Sequence, residues 1–353
     1  MGEQQFIAVW VKMAKAVKLA DIAAKVNVST VTVSKALSGQ KGVSETVREQ
    51  IIQIANEMGY KQPSVYRKEA ENRAKQKSYN IGVLIAEYYL GKYESFYSQM
   101  YQKFAANAGN NGSFCMLEII TSDAEREVQK PMMISERRVD GIVLIGRVSD
   151  EYLKMIVDSE IPIVFMDFYT SDTTLDFVIS DSFYGAYQMT NYLLDKGHKD
   201  IAFVGTIGAT PSITDRYMGY AKSMTERNIE LRKEWIINDR DEKVKVLKEE
   251  CIKLPENMPT AFVCNSDQTA GILIKILTEK GYRVPEDISV VGFDNFLPPG
   301  ICNVRITSYE VDMKEMAKRT LKILQHKISG EKYKQGILVV GGHLVEKDSV
   351  KNI

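Results

Sequence analysis

Apolar residues between residues 18 and 60 recur at helical spacing and divide into three short segments. The first two segments each carry one apolar face, formed by Ile22, Ala23 and Val26 and then by Val33, Ala36 and Leu37. A third segment begins after Ser44 and supplies Val47, Ile51, Ile54, Ala55 and Met58. The pattern predicts three helices that bury these faces against one another in a small core.

The turn between the first two predicted helices, Asn27-Val28-Ser29, is typical of a helix-turn-helix. Asn27 tolerates the positive φ that such a turn needs, and Ser29 can cap the second helix. The outward positions of the second helix are small, polar or short, and they are Ser29, Thr30, Val31, Thr32, Ser34 and Lys35. Such side chains suit hydrogen bonds and methyl contacts in a DNA major groove. The alternative is a helical hairpin that only packs.

Residues 80–353 alternate short β-rich runs with amphipathic helices. The first set of predicted strands is NIGVLIAEYY, SFCMLEII, DGIVLIG and IPIVFMDF, and the second is FVISD, DIAFVG, TAFVCN and ISVVGFD. Strands that are apolar on both faces belong to a covered parallel sheet. Two such sets predict an α/β protein with two doubly wound lobes behind the three-helix headpiece.

This pattern gives a headpiece at residues 13–62, a linker at residues 63–79 and a two-lobe core at residues 80–353. The segment from Arg305 onward is expected to return between the lobes, with GILVVGGHLVEK as a single strand. We therefore expect the first lobe at about residues 80–177 plus 309–332, and the second at about 178–308 plus 333–353.

Charge is balanced over the whole chain, with 46 basic and 46 acidic residues, but it is unevenly distributed. Between Met13 and Tyr79 there are twelve Lys and Arg residues against six Asp and Glu residues. A local excess of six positive charges is the electrostatic signature expected of a nucleic-acid-binding domain.

Other features of the sequence argue against several classes of protein. The four cysteines have no paired spacing, so we expect reduced thiols in a cytoplasmic protein without a disulfide framework or a zinc site. The apolar run Phe6 to Val11 is too short for a membrane span and lacks the basic flank of a signal peptide. The sequence has no dinucleotide-binding loop, no phosphate-binding loop and no catalytic triad at motif spacing, so we expect no enzyme activity, cofactor or metal.

His198 directly follows Gly197, and we expect it to have a structural role in a turn there.

Four polar residues come directly after or near the ends of predicted core strands: Asp167, Arg216, Asp267 and Asp294. Ligands of doubly wound proteins bind at the carboxyl ends of the strands, so a site between the lobes is predicted there. A guanidinium facing a carboxylate suits adjacent hydroxyls of a sugar, although Arg216 and Asp294 could also form a purely structural ion pair. Asp267 could instead cap the helix that follows it.

Two stretches of the headpiece, LADIAAKVNVSTVTVSKALSG and VSETVREQI, resemble the DNA-binding domain of the LacI/GalR family of bacterial transcription regulators. In the core, KGHKDIAFVG, DRYMGY, ISVVGFDN and HLVEKDSV resemble the effector-binding domain of the same family, a relative of the periplasmic sugar-binding proteins. The resemblance covers residues 17–353. It implies a repressor that binds a near-palindromic DNA operator as a homodimer and is controlled by a small-molecule effector.

The resemblance also implies roles for individual residues. Arg216 and Asp294 match the family's characteristic effector contacts, and Ser266 matches a position that lines the pocket. Phe96 and Tyr97 stand where the family places aromatic residues, and their rings either stack on a sugar or belong to the core. Arg147 either contacts a charged or extended effector or stays solvated.

A sugar or sugar phosphate is the expected effector, and a nucleobase or another non-sugar metabolite is the alternative. A solute-binding protein would share the two lobes, but the helix-turn-helix argues against that class. Thr210 argues against the nucleobase because purine-responsive relatives carry a second arginine at that position.

Three departures from the family pattern accompany the resemblance. Asn27 replaces the usual glycine, which is a mild change because asparagine tolerates positive φ. The family usually places in the linker a leucine that wedges into the minor groove; counted from Gly59 that position is Glu69, and counted from Pro63 it is Ala70. Neither is a bulky apolar residue, so we expect weaker bending of the operator. Residues 1–12 have no counterpart, and we expect a start-site extension or a disordered arm.

Overall fold

The computed structural model describes residues 17–37, 40–58, 60, 78–90, 95–241 and 247–353. The chain divides into two compact units, residues 1–77 and residues 78–353. The expected N-terminal extension and nearly all of the expected linker, including Glu69 and Ala70, lie outside the described residues.

The first unit contains the three predicted helices, which are α1 (Leu19–Val26), α2 (Thr30–Leu37) and α3 (Glu45–Glu57). Their predicted apolar faces form one cluster, with Ile22, Val33 and Ile51 fully buried. Asn27 ends α1 in the left-handed conformation, with a φ of 56°, as the turn requires. The three-helix prediction is therefore confirmed.

The second unit contains two six-stranded sheets flanked by helices, as predicted. The first sheet has the order β2-β1-β3-β4-β5-β11 and is parallel throughout. Its strands are β1 (Asn80–Ala86), β2 (Phe114–Ile120), β3 (Gly141–Ile145), β4 (Ile163–Met166), β5 (Phe177–Ser180) and β11 (Ile337–Val340). The helices of this lobe are α4 (Phe96–Asn110), α5 (Ser122–Arg126), α6 (Met132–Ser135), α7 (Asp150–Val157) and α11 (Met313–Ser329).

The second sheet has the order β7-β6-β8-β9-β10-β12, and only β12 is antiparallel to its neighbour. Its strands are β6 (Ile201–Val204), β7 (Ile236–Ile237), β8 (Ala261–Cys264), β9 (Ser289–Asp294), β10 (Thr307–Glu310) and β12 (His343–Val345). The long helices of this lobe are α8 (Ser182–Asp195), α9 (Pro211–Glu226) and α10 (Asp267–Glu279). Short 3-10 turns lie at Glu87–Tyr89, Lys233–Trp235 and Glu249–Cys251.

Central strands of both sheets are buried on both faces, which is the pattern predicted from their continuous apolar sequences. His198 is also fully buried, where Nδ1 lies 2.9 Å from the Thr260 hydroxyl and Nε2 lies 3.2 Å from the Lys351 carbonyl oxygen. It therefore holds the C-terminal segment against the second lobe, in a structural role.

Two strands differ from the predicted lobe boundaries. β5, expected in the second lobe, pairs with β4 in the first sheet, and β11, also expected in the second lobe, pairs with β5. The cause is the buried Asp176 carboxylate, which accepts hydrogen bonds from Lys327 Nζ at 2.8 Å, Tyr333 at 2.7 Å and the Gly336 amide at 3.0 Å. These bonds fix the segment before β11 to the first lobe.

The segment GILVVGGHLVEK forms two strands in two different sheets, which corrects the expectation of a single strand. The break falls at Gly341 and Gly342, where a Cβ on Gly342 would collide with the backbone oxygen of Glu310. The chain therefore passes between the lobes three times, at Asp181, at residues 311–312 and at residues 341–342.

Across the described part of the chain, no helix combines the length and apolar character required to cross a lipid bilayer.

Candidate functional site: a helix-turn-helix and an interlobe cleft

Helix α2 presents most of the predicted DNA-contacting residues to solvent. Thr30, Val31, Ser34 and Lys35 are exposed, and Val31 is 61% exposed despite its apolar side chain. Ser29 caps the helix by accepting a hydrogen bond from the Thr32 amide at 3.1 Å, and the two hydroxyls lie 2.8 Å apart. Ser29 and Thr32 thus begin the helix in a defined conformation, while the other four form its outer face.

Arg48 of α3 fixes the other end of α2, a feature that the sequence analysis missed. Its guanidinium donates to the carbonyl oxygens of Ala36 and Gln40, each at 2.8 Å. The carbonyl groups at the end of a helix lack partners within the helix, and a cation is favoured beside them. Arg48 therefore stabilises the C-terminus of the helix that faces solvent.

A cleft of about 730 Å³ opens between the two lobes at the carboxyl ends of their strands. Six of the seven predicted effector residues line it, namely Phe96, Tyr97, Asp167, Arg216, Ser266 and Asp294. The first lobe supplies Phe96, Tyr97 and Asp167, and the second supplies the other three.

Arg216 lies at the base of the cleft and is only 6% exposed. Its Nη2 atom is 3.3 Å from Asp294 Oδ1, its Nη1 atom donates to the carbonyl oxygen of Asn265, and its guanidinium lies 3.7 Å above the Phe293 ring. Its Nε atom has no hydrogen-bond partner among the described residues. The cation is therefore held firmly, and its Nε atom is buried and inaccessible to solvent.

Asp294 and Asp167 reach the cleft from opposite lobes, and both have a positive φ, 95° and 68°. Burial raises the pKa of Asp294, and the Arg216 charge opposes that rise. Burial also raises the pKa of Asp167 to about 7, with Arg216 lowering it and Asp294 raising it, while Tyr97 forms a hydrogen bond to the carboxyl group. The Arg216 charge thus lowers the pKa of both carboxyl groups although it contacts only Asp294, and the backbone is strained at both aspartates, as is common at functional sites.

Beside the cleft, the fully buried Asp239 is the centre of a polar network. Arg240 Nε and Nη2 donate to its two oxygens at 3.0 and 2.8 Å, and Asn265 Nδ2 donates at 2.7 Å. Burial alone would raise the pKa of Asp239, but the hydrogen bonds and charge of Arg240 and the other donors lower it to about 2. Arg240 is therefore already neutralised inside the protein, although it lines the cleft.

The seventh predicted residue, Arg147, does not line the cleft. Its guanidinium pairs with Asp150 at 3.0 Å and faces a neighbouring cavity of about 600 Å³. Its backbone oxygen accepts hydrogen bonds from Tyr88 and Tyr89 at 3.0 and 2.9 Å. Because Gly146 turns the chain with a φ of 78°, the Arg147 side chain leaves the end of β3 on the outer side.

Asp267 neither caps α10 nor lines the cleft. Ser266 is the cap, accepting a hydrogen bond from the Thr269 amide at 3.1 Å, while also lining the cleft. Asp267 is 1% exposed and accepts a hydrogen bond from Ser308 at 2.7 Å, packed against Gly292. It is a structural residue that joins α10 to β9 and β10.

Several cleft residues were missed by the sequence analysis, namely Tyr88, Tyr89, Arg240, Asn265 and Phe296. Most of them follow the end of a strand within a few residues, as do the residues that were found. A stricter application of the strand-end rule would have found Asn265, directly after β8, and Tyr88 and Tyr89, after β1.

Comparisons with known proteins match both units of the chain. Residues 18–63 match the model of bacterial regulatory proteins of the lacI family, and residues 190–350 match the model of the periplasmic binding protein-like domain. The chain is 30% identical over 351 residues to the HTH-type transcriptional repressor PurR of Glaesserella parasuis, covering 94% of this chain and 98% of that protein. The same-named repressor of Vibrio campbellii is 28% identical over 336 residues, with the same coverage.

Solved structures show the same fold. A lac repressor dimer bound to operator and the anti-inducer ONPF has a TM-score of 0.60 and 22% identity, covering 96% of this chain and all of that one. A complex of the transcriptional regulator CelR with cellobiose has a TM-score of 0.65 and 19% identity, covering 94% of this chain and 99% of that one.

Proposed function

The chain belongs to the lacI family of bacterial regulatory proteins and binds DNA, and we propose that it is a repressor whose operator binding is controlled by a neutral sugar held in the interlobe cleft. The observation that carries the sugar assignment is the cluster of Arg216, Asp294 and Asp167, in which groups from both lobes face one small space lined by aromatic rings. A ligand that contacts both lobes favours their closed arrangement, which is the requirement for an allosteric effector.

The charge of the cleft favours a neutral ligand over a phosphorylated one. Among the described residues that line it, the two cations are already paired, Arg216 with Asp294 and Arg240 with Asp239. Asp167 adds a further acidic group. Among the residues that the structure describes, a phosphate in this space would face carboxyl groups without an uncommitted guanidinium or ammonium, which costs free energy. Of the two effectors expected from the sequence, a sugar and a sugar phosphate, the sugar phosphate is therefore disfavoured.

The donor and acceptor pattern suits hydroxyl groups. Carboxyl oxygens of Asp167 and Asp294 can accept hydrogen bonds from hydroxyls, and the exposed Gln268 amide, which lines the same cleft, can donate to one. The rings of Tyr89, Tyr97 and Phe96 form a continuous series on the first lobe, with centroids 4.3 and 5.5 Å apart. Aromatic faces of this kind pack against the apolar face of a sugar ring.

The size of the cleft fits a sugar with room to spare. At about 30 Å³ for each water-sized group, a hexose with twelve non-hydrogen atoms occupies at most about half of the 730 Å³. The remaining space accommodates bound water or a second sugar ring.

Binding to a near-palindromic operator as a homodimer is part of the same proposal. One helix-turn-helix offers little contact surface, and two copies related by a twofold axis match the two halves of a palindrome. Edge strand β2 carries Phe114, which is 73% exposed, and Met116 two residues later on the same side. An exposed apolar edge strand is a liability in a monomer, so a second copy of the chain is the occupant proposed for it.

A nucleobase is the second candidate, and the name PurR carried by relatives at 28 to 30% identity favours it. Against it, Thr210 stands where purine-responsive relatives have arginine, and its hydroxyl is occupied in capping α9 through the Ile213 amide at 3.2 Å.

Thermal-shift measurements on the purified protein separate these candidates. The panel contains neutral mono- and disaccharides, the 6-phosphates of the same hexoses, and purine and pyrimidine bases. A ligand at a concentration of 100 times its Kd adds about 2.7 kcal/mol to the free energy of unfolding, which raises the melting temperature by several degrees. Stabilisation by a neutral sugar and not by its phosphate is the expected result, whereas stabilisation by nucleobases alone would replace the sugar with the second candidate.

A further inference from the structure

Tyr169 and Asp215 join the two lobes directly at the edge of the cleft. Tyr169 lies in the segment between β4 and β5 of the first lobe, and Asp215 lies on α9 of the second lobe. The Tyr169 hydroxyl is 3.0 Å from Asp215 Oδ1 and 3.1 Å from Oδ2. Both side chains are partly buried, so the contact is shielded from bulk water.

This contact pairs a phenol donor with a carboxyl acceptor across the two lobes. Burial, together with the Asp215 charge, raises the pKa of Tyr169 to about 12, so the phenol stays protonated at neutral pH and donates a hydrogen bond to the carboxyl group. Hydrogen bonds to a charged acceptor are about twice as strong as those between neutral groups. The pair resists separation of the lobes at this point.

Each member of the pair is close in sequence to a residue at the base of the cleft. Tyr169 follows Asp167 by two residues, and Asp215 directly precedes Arg216. Formation of the hydrogen bond therefore brings the segments that carry Asp167 and Arg216 towards each other. A second contact between the lobes, between the rings of Phe96 and Phe296 with centroids 6.5 Å apart, lies elsewhere along the same cleft.

We propose that the Tyr169–Asp215 hydrogen bond is a latch that favours the closed arrangement of the lobes before any effector binds. This proposal rests on the proposed function in one respect, that closure of the cleft is the event to which an effector couples. The latch lowers the free energy of the closed core, so less effector is needed to complete the change. Its loss raises the effector concentration for half-maximal response by up to about tenfold, whether the effector releases the operator or promotes its binding.

The chain offers a matched control for this contact. The Tyr187 hydroxyl donates to Glu226 at 2.7 Å, which is the same pair of chemical groups, but both residues belong to the second lobe. Tyr187→Phe therefore removes a tyrosine–carboxylate hydrogen bond without freeing one lobe from the other. Tyr169→Phe removes the hydrogen bond, and Asp215→Asn weakens it by replacing the charged acceptor with a neutral amide oxygen; both keep the size of the side chain.

Hydroxyl-radical footprinting of the full-length, ligand-free protein tests the latch. The measured quantity is the oxidation rate of Phe96, Tyr97 and Phe296, which line the cleft and become accessible when the lobes separate. We expect Tyr169→Phe and Asp215→Asn to raise these rates severalfold, by up to about tenfold, with the double variant adding little to either single one. Tyr187→Phe should leave them unchanged.

Equal oxidation rates in wild type, Tyr169→Phe and Asp215→Asn would overturn the latch, and so would an equal rise in Tyr187→Phe. Melting temperatures measured in parallel show that each variant is folded. No sugar is added in this experiment, so its result does not depend on the identity of the effector. Failure of the sugar assignment appears instead in the thermal-shift panel.

Discussion

Arg216 and Asp294 form an ion pair inside the second lobe, with an Nη2–Oδ1 distance of 3.3 Å and with both side chains largely buried. The strand that ends in Asp294 also carries Phe293, whose ring supports the Arg216 guanidinium. The pair is therefore part of the folded lobe as well as of the cleft, and the two residues are not equivalent targets for mutation.

Arg216→Ala should destabilise the protein. It leaves the Asp294 carboxyl group buried without its cation and opens a cavity over Phe293, and breaking a buried pair in this way costs about 3 to 5 kcal/mol. Asp294→Asn keeps an oxygen that Arg216 can contact and should cost less. Differential scanning calorimetry of both variants measures the difference, and equal melting temperatures for Arg216→Ala and wild type would show that the ion pair contributes nothing to folding.

Asp167 should make the stability of the core depend on pH. Its folded-state pKa of about 7 lies above the unfolded value of about 4, so the folded protein binds the extra proton. The resulting stability is fully present below pH 4 and is lost as the pH rises to about 7. The free energy of unfolding of Asp167→Asn should therefore increase relative to that of wild type by about 1 to 3 kcal/mol as the pH rises from 5 to 8. Melting curves at both pH values test this, and a difference that does not change with pH would be inconsistent with it.

Arg48→Met should weaken operator binding without changing sequence preference, because the residue holds the end of α2 and lies on α3. Loss of charged hydrogen bonds to two carbonyl groups is expected to cost about 1 to 3 kcal/mol of headpiece stability. Glu45→Gln is the control, since the Glu45–Arg48 pair is 3.8 Å apart and Glu45 is exposed, so its removal should be nearly neutral. Fluorescence anisotropy with a labelled operator measures the operator affinity of both variants. An equal loss of affinity in Arg48→Met and Glu45→Gln would contradict the role given to Arg48.

Thr30 and Val31 should determine base preference, whereas Lys35 should contribute mainly through phosphate. Val31 is the most exposed apolar side chain on α2, which suits contact with a thymine methyl group. Exchange of Thr30 and Val31 should alter the preferred sequence, at about 1 to 3 kcal/mol per mismatched base pair. Lys35→Ala should instead weaken binding to all DNA sequences alike. It should also reduce, by about one, the slope of the logarithm of the binding constant against the logarithm of the salt concentration. Selection from a randomised DNA library tests the exchange, and an unchanged motif would exclude base readout by these two residues.

The sequence was sufficient for the parts of this protein in which local pattern and tertiary structure agree. The three helices of the headpiece, the positive φ of Asn27 and the both-face burial of the strands followed from spacing and residue type alone. The position of the cleft at the strand ends followed from topology, which is why Asp167, Arg216 and Asp294 were found.

What the sequence could not provide depends on contacts between distant residues. The assignment of β5 and β11 to the first sheet depends on Asp176 binding Lys327, Tyr333 and Gly336, about 150 residues away. The direction of the Arg147 side chain depends on the turn at Gly146, and the partners of Arg48 lie on another helix. No local pattern encodes these pairings.

The central claim, that a neutral sugar in the interlobe cleft controls operator binding, is tested most directly by operator titrations of wild type and Asp294→Asn. Fluorescence anisotropy is measured with and without each neutral sugar that stabilises the wild-type protein. We expect such a sugar to change the operator affinity of wild type by about 5- to 150-fold and that of Asp294→Asn by much less at the same sugar concentration, because a neutral amide oxygen is a weaker acceptor than a carboxylate. The sugar should also raise the melting temperature of the variant by less than that of wild type. A response of the same size in Asp294→Asn, or a wild-type protein that responds only to nucleobases, would contradict the account.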